Sequence, residues 1–363
     1  MNIWITYGII AAILLVAELI YFRIADKCNI IDKPNERSSH STIVLRGGGI
    51  IFAISILVWM GLQMVHGEWF MVKDYLPFVI GLVLICGISF WDDVKSLPDS
   101  VRMIVQIVSI LLMFWSINLG SGFTIQGSWA SQAAEPSSWL LQVVIAAVAL
   151  FFCVGATNII NFMDGINGIT AGYAFAMLLP MLLLVSGSSF HVSGFIEPSY
   201  LIVAIIGVLV FSIFNFRPKG KAKCFAGDVG SIGIAFIILF ALGRLMLATK
   251  DVTYIVFFLV YGIDGSLTIF HRIMLHENLG QAHRKHAYQL MANELKMSHV
   301  TVSCIYMVLQ LIISLGFIYL CPNTILAHWT YLIGAGIVLA VAYVLFKMKY
   351  YHLHEEYLES LKK

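Results

Sequence analysis

Long apolar runs alternate with short polar stretches along the whole chain. Eleven of the runs reach the roughly 20 residues a helix needs to cross about 30 Å of hydrocarbon. They begin near Ile3, Gly48, Leu76, Val101, Leu140, Ile169, Tyr200, Ser231, Tyr254, Val300 and Ala327. The pattern predicts an all-α polytopic membrane protein of about 11 transmembrane helices, with residues 1–363 forming one domain and no soluble module attached. The first run lacks a basic start and a small-residue cleavage site, and basic residues follow it, so it is expected to stay as a helix rather than act as a signal peptide.

Composition sharpens this picture. The 363 residues are 60% hydrophobic and only 12% charged, against about 25% charged in a soluble domain. The net charge of +2 gives no reason to expect a nucleic-acid partner. Six cysteines without a CxxC pair suggest neither a zinc site nor a disulfide framework.

The basic residues report orientation, because cytoplasmic loops hold the excess of Lys and Arg. One set of alternate loops and the C-terminal tail hold 19 of them, whereas the opposite loops hold only Lys73 and Lys250. Arg244 falls near the outer end of the eighth run, where it is expected to snorkel. The split predicts the N-terminus outside and the C-terminus in the cytoplasm. Every polar cluster considered below then falls on the cytoplasmic face, which favours an active site there over a pathway through the membrane.

Five clusters carry candidate chemistry. In "WDDVKSLPDSVRMIVQ", Asp92 and Asp93 end the third run, and Arg102 and Gln106 open the fourth. An acidic pair at a helix C-terminus opposes the dipole and is an odd choice for a plain cap. Two adjacent carboxylates can instead hold a divalent cation or act as a base. In "NIINFMDGINGIT", Asn158, Asn161, Asp164 and Asn167 recur every third residue. A connector needs only the Asp-Gly and Asn-Gly turns, so four such residues in register point to a ligand site offering amides to a base or sugar and an oxygen to a metal.

In "FNFRPKGKAKCFAGDVGSIG", Asn215 ends the seventh run and Asp228 opens the eighth among glycines. Backbone N–H groups at such a helix start favour phosphate, although an N-cap also explains Asp228. "GQAHRKHAYQ" brings His283, Arg284 and His286 together, a set better suited to a pyrophosphate than to zinc. "DKPNERSSHSTIVLRGGGI" supplies Lys33, Arg46, Gly48 and Gly49, candidate contacts for a lipid phosphate or for the loop itself. Close helix packing is an equally good use of the glycines. Asp264, inside the ninth run, is expected to be structural or to support the site, paired with Arg272 or another helix.

These segments, in this order over roughly residues 32–289, resemble the polyprenyl-phosphate N-acetylhexosamine-1-phosphate transferase family, glycosyltransferase family 4. That family also includes the translocase making the first lipid intermediate of peptidoglycan. The resemblance implies transfer of a sugar-1-phosphate from a UDP-sugar to undecaprenyl phosphate, releasing UMP, in the bacterial inner membrane. By the same resemblance Asp228 and Asn161 would bind Mg²⁺, with Mn²⁺ as a substitute, and Asp92 and Asp93 would deprotonate or position the lipid phosphate. Asn167 would contact uracil, and Arg102, His283, Arg284 and His286 would hold the diphosphate. Asn158, Asp164 and Asn215 join Asn167 as nucleotide or sugar candidates.

The chain departs from the family in two places. Many bacterial members read Asp-Gly-x-Asp-Gly where this chain has Asp164, Gly165, Ile166, Asn167 and Gly168, and the translocase's triple-histidine motif is replaced by "HRKHAYQ". The departures argue against a muramyl-pentapeptide donor and for a UDP-N-acetylhexosamine, feeding O-antigen, capsule or another surface glycan. The alternative class is a secondary transporter using intramembrane acids; it would need internal repeats, and none is visible. Oligomeric state stays open, a homodimer included.

Overall fold

Helices dominate because a chain crossing hydrocarbon must satisfy its backbone polar groups within itself. The computed structural model describes residues 3–32, 43–119, 138–187, 192, 194–278 and 283–360. In chain order the helices are α1 (Ile3–Lys27), α2 (Ile50–Val65), α3 (Trp69–Val94), α4 (Asp99–Ser116), α5 (Ser138–Met163), α6 (Ile169–Ser186), α7 (Pro198–Asn215) and α8 (Gly227–Thr249). A 3₁₀ turn (Val252–Phe258) leads into α9 (Leu259–Met274). A single turn, α10 (Ala287–Gln289), continues as a π-helical turn (Leu290–Glu294) before α11 (His299–Tyr319) and α12 (Ile325–Ser360). Among the described residues, ten of the expected runs are long and apolar enough to cross a membrane, and the second is a shorter helix of 16 residues.

α8 lies at the centre, packed against α2, α3, α5 and α6. Its residues from Val229 to Leu242 are all buried, the mark of a helix apolar on every side and enclosed on every side. The ring of Phe78 on α3 stacks on Phe240 and Phe236 of α8, with centroids 3.9 and 5.4 Å apart. Near the C-terminal end of α8, Arg244 is tied into the fold rather than left to snorkel. Its guanidinium pairs with Asp74 at 2.7 Å and donates to the Phe195 carbonyl at 2.7 Å. That pairing also explains why α3 begins at Trp69 rather than near Leu76, since Asp74 has a partner that lets its turn stay helical.

Beside the start of α8, two short strands, β1 (Ile31–Asp32) and β2 (Val44–Leu45), pair antiparallel with Ile31 opposite Leu45. The chain after β2 then runs along residues 224–226. Phe225 N–H donates to the Leu45 carbonyl at 2.8 Å, Gly48 N–H to Phe225 at 2.9 Å, and Gly49 N–H to Ala226 at 3.1 Å. A Cβ on Gly49 would lie 2.4 Å from Gly230 Cα, so the starts of α2 and α8 touch backbone to backbone. Gly48 and Gly49 are therefore packing residues whose N–H groups are engaged by protein carbonyls rather than by a phosphate. The contact places Arg46 beside Asp228.

Candidate active site

Five charged side chains meet at the first turn of α8. Asp92 pairs with Arg102 at 3.0 Å, and Arg102 pairs with Asp228 at 3.0 Å. Asp228 lies 3.5 Å from Arg46, and Arg46 pairs with Asp93 at 2.7 Å. Signs alternate along this chain, and three carboxylates against two guanidinium groups leave one negative charge. Burial works against the Arg46 cation, but Asp93 and Asp228 outweigh it and raise its pKa above the ordinary arginine value. Tyr21 fixes the arginine's backbone by donating to the Arg46 carbonyl at 2.6 Å.

Asp93 is bound differently from its neighbour. Its fully buried carboxylate accepts the N–H groups of Asp228 and Val229, both at 3.0 Å, as well as the Arg46 Nε. The acid that seemed misplaced at the end of α3 thus serves the N-terminus of another helix, where the dipole favours it. Gly227 makes this approach possible, with φ +70° and a position for Cβ only 2.6 Å from Asp93 Oδ2. Asp92 turns the other way, accepting the Leu97 N–H at 2.7 Å while it holds Arg102.

A polar cavity of about 270 Å³ opens beside the cluster, lined by Arg46, Asp228, Asn161 and Asp164 at its charged end and by Ile166, Gln289 and His299 elsewhere. Asn161 comes close enough to Asp228 for its amide to act on that carboxylate. Asp164 accepts from the Thr170 hydroxyl at 2.6 Å. Burial is the main reason the Asp164 carboxyl is pushed up to about 7, against the Thr170 bond. An acid with that pKa in the fold and one near 3.9 in the open chain takes up a proton on folding, so its contribution to stability falls as pH rises through this window. Asp164→Asn is therefore expected to gain unfolding midpoint over the parent protein from about pH 4 upward and to level off above about pH 7. Thermal unfolding in detergent at both ends of that range checks it; an equal gain at both would show that Asp164 takes up no proton on folding, and a loss at the higher pH that the fold favours the carboxylate.

The other expected residues are placed less uniformly. Asn158 turns back along α5 to donate to the Val154 carbonyl at 2.8 Å and does not line the cavity. Asn167 and Asn215 do line it, yet both are occupied. The Asn167 amide donates to the carbonyls of Arg217 and Pro218, at 2.8 and 3.1 Å. Asn215 accepts from Gly168 N–H and donates to the Cys224 carbonyl, at 2.8 and 2.9 Å. Both side chains tie the basic loop to the start of α6, so the donor that Asn167 was expected to offer uracil already serves the fold.

Of the 283–289 segment, only Gln289 reaches the cavity wall. His286 instead pairs with Asp264 at 3.2 Å, and Asp264 also accepts from Ala287 N–H, the Thr268 hydroxyl and the Tyr306 hydroxyl. Asp264 thus anchors the segment; Arg272 is not its partner and pairs with Glu277. Burial first, with Arg272 and Lys285 nearby, holds the His283 imidazole down to about 3, leaving it without the charge expected of a diphosphate contact. The Arg284 guanidinium lies over the Tyr357 ring at 4.7 Å, on the side facing α12. Lys33 lies outside the described residues. Gln289, His299 and Asp32 line the cavity without having been singled out in sequence. For His299 a signal exists, a buried imidazole opening an otherwise apolar helix.

Comparison with known proteins places this geometry. Residues 75–246 match the model of glycosyl transferase family 4. Similar proteins include a probable undecaprenyl-phosphate N-acetylglucosaminyl 1-phosphate transferase from Bacillus subtilis, 26% identical over 79% of this chain and 76% of that protein. A phospho-N-acetylmuramoyl-pentapeptide-transferase from Thermodesulfovibrio yellowstonii is 31% identical over 60% of this chain and 62% of its own length. An undecaprenyl-phosphate alpha-N-acetylglucosaminyl 1-phosphate transferase from Escherichia coli K12 is 26% identical over 61% and 56%.

From α3 to α8 the chain is similar to glycosyl transferase family 4.

The family match runs from α3 to α8 and so contains Asp92, Asp93, Arg102, Asn161, Asp164 and Asp228. Arg46 and the 283–289 segment lie outside it and join the site through the packing described above. The family's members are polyprenyl-phosphate sugar phosphotransferases, and the bacterial relatives together with the apolar helices mark this one as a multi-pass bacterial membrane enzyme.

Proposed function

We propose that the protein transfers N-acetylhexosamine-1-phosphate from a UDP-sugar to undecaprenyl phosphate, releasing UMP and beginning a surface glycan. The observation that carries this is the alternating row Asp92–Arg102–Asp228–Arg46–Asp93, whose Asp228 and Arg46 line a polar cavity while Asp92, Asp93 and Arg102 stand behind them. Phosphoryl transfer asks mainly for alignment and for neutralisation of charge on the phosphates. Two guanidinium groups that face Asp228 in the first turn of α8 supply both, since each offers paired donors to phosphate oxygens. The proposed orientation, with this end of the helices in the cytoplasm, brings the site to both a soluble nucleotide sugar and a lipid phosphate at the interface.

The donor set suits magnesium. Asp228, Asn161 and Asp164 offer hard oxygens, and the row carries one uncompensated negative charge. Among the described residues no three acidic, histidine or cysteine side chains cluster as a complete metal site. A Mg²⁺ held by Asp228 and Asn161 would therefore keep water or phosphate ligands, as this ion commonly does. When bound it would offset charge on the donor's diphosphate.

In the reaction, a lipid-phosphate oxygen forms a bond to the β-phosphorus, the bond from that phosphorus to the bridging oxygen breaks, and the electron pair leaves with UMP. A phosphate monoester loses its second proton near pH 6, so the nucleophile is largely dianionic at neutral pH and needs orientation more than a base. Arg46 and Arg102 orient it, and Asp92 and Asp93 hold those arginines. A transporter reading draws no support from Asp264, whose oxygens are all engaged by protein donors.

The test is UMP release by purified protein in detergent with undecaprenyl phosphate, Mg²⁺ and a panel of UDP-N-acetylhexosamines, with UDP-muramyl-pentapeptide as the contrast. Release that requires lipid and metal and prefers an N-acetylhexosamine is expected. Folded protein that releases none with any donor would overturn the reading.

A further inference from the structure

The last helix is longer than a membrane requires. α12 has 36 residues, about 54 Å at 1.5 Å per residue, against roughly 30 Å of hydrocarbon. Its apolar part ends at Phe346, and the polar extension beyond it is not polar on every side. Tyr343, Lys347, Tyr351, His354 and Tyr357 recur at intervals of four, four, three and three residues, which sets them on one face. Lys347 and His354 on that face are 7% and 2% exposed.

Among the described residues the face packs on the second half of α9 and the 283–294 segment. The Tyr343 and Thr268 hydroxyls meet at 2.7 Å. Lys347 Nζ donates to the Lys285 carbonyl and lies over the rings of Tyr343 and Tyr351, at 5.6 and 4.9 Å. His354 pairs with Glu294 at 3.0 Å, and Arg284 lies over Tyr357. A buried ammonium is costly unless its protons are met, and a carbonyl with two ring faces is a specific way to meet them.

The same segment borders the cavity on its other side. Tyr288 donates to the Phe162 carbonyl at 3.0 Å, and a Cβ on Gly165 would lie 2.3 Å from the Tyr288 hydroxyl. Gln289 lines the cavity directly. The π-helical turn that follows is a geometry rarely stable without tertiary support. We propose that the polar extension of α12 is a brace for the substrate cavity and that Lys347 is a positioning residue. It holds the 283–294 segment where Gln289 forms part of the cavity wall and Tyr288 backs the wall residue Gly165, and so sets affinity for the nucleotide sugar without touching it. The substrate half of this inference rests on the transferase reading above; the bracing half does not.

The experiment uses full-length Lys347→Met and Lys347→Arg in detergent. Lys347→Met is expected to speed hydrogen exchange over 283–294 by about tenfold, with peptides of α3 and α8 unchanged. KM for the UDP-sugar should rise about fivefold while kcat stays within about twofold, and Lys347→Arg should recover most of both. Unchanged exchange over 283–294, or faster exchange with unaltered KM, overturns the proposal, as does a fall in kcat at constant KM. Should Lys347→Met fail to fold, His354→Ala removes a neighbouring contact at less cost; faster exchange around Glu294 supports the brace and unchanged exchange overturns it. Parent protein that releases no UMP would sink the transferase reading, while the exchange arm still decides the brace.

Discussion

Asp228→Asn is expected to lower turnover by about 10² or more while leaving the unfolding midpoint nearly unchanged. The two halves of that result come from different atoms of the same residue. The backbone N–H of Asp228 donates to Asp93, and this bond survives the substitution. Its side chain lines the cavity and faces both guanidinium groups, at 3.0 and 3.5 Å. An amide of the same size still accepts from Arg102, so packing is kept. What disappears is the surplus negative charge of the row, because two carboxylates then face two arginines. The site loses its attraction for a divalent cation, and Arg46 and Arg102 lose the carboxylate that aims both at one point. UMP release measured beside thermal unfolding separates these effects, and binding of Mn²⁺ to the substrate-free protein gives a readout independent of turnover. Near-normal turnover in a folded Asp228→Asn variant would remove Asp228 from the chemistry.

Some of this site is legible in sequence and some is not, for reasons that differ residue by residue. The apolar runs are legible because each helix must close its own hydrogen bonds in hydrocarbon. The start of α3 is not, since the charge of Asp74 is answered by Arg244 from α8, a partner no local spacing reveals. The acidic pair is legible as an anomaly, two charges against their own helix dipole, but its explanation lies in the first turn of α8. The period of three in Asn158, Asn161, Asp164 and Asn167 marks the right segment and overcounts the ligands, because α5 runs to Met163 and turns Asn158 away. Polar residues beside a cavity also hold its walls, and only coordinates distinguish Asn167, tied to the basic loop, from Asp164, facing the space. The glycines after Arg46 fit phosphate binding and backbone packing equally well as letters; the 2.4 Å approach to Gly230 decides for packing. The histidines of "HRKHAYQ" suggest a phosphate contact in sequence, whereas in the fold His286 is buried against Asp264 and His283 accepts the Lys285 N–H, so both serve the segment itself.

Asp93 is where sequence and structure assign different work, and its substitution gives the second large effect. Asp93→Ala is expected to lose turnover by about 10² or more, as Asp228→Asn does, and in addition to destabilise the protein by about 3 to 5 kcal/mol. Its carboxylate is fully buried and binds three donors, the N–H groups of Asp228 and Val229 and the Arg46 Nε. Without it, two N–H groups at the start of α8 lose their acceptor and Arg46 keeps only its longer contact to Asp228. The helix start and the arginine are then free to move together, so the cavity wall loses its geometry along with its stability. A carboxylate acting as a base would behave otherwise: removing it would cost turnover and leave the fold intact. The two variants measured side by side therefore discriminate the roles, with turnover lost in both and the unfolding midpoint lowered only in Asp93→Ala. An inactive Asp93→Ala protein as stable as its parent would return Asp93 to the chemistry and deny it the task of holding α8 and Arg46 in place.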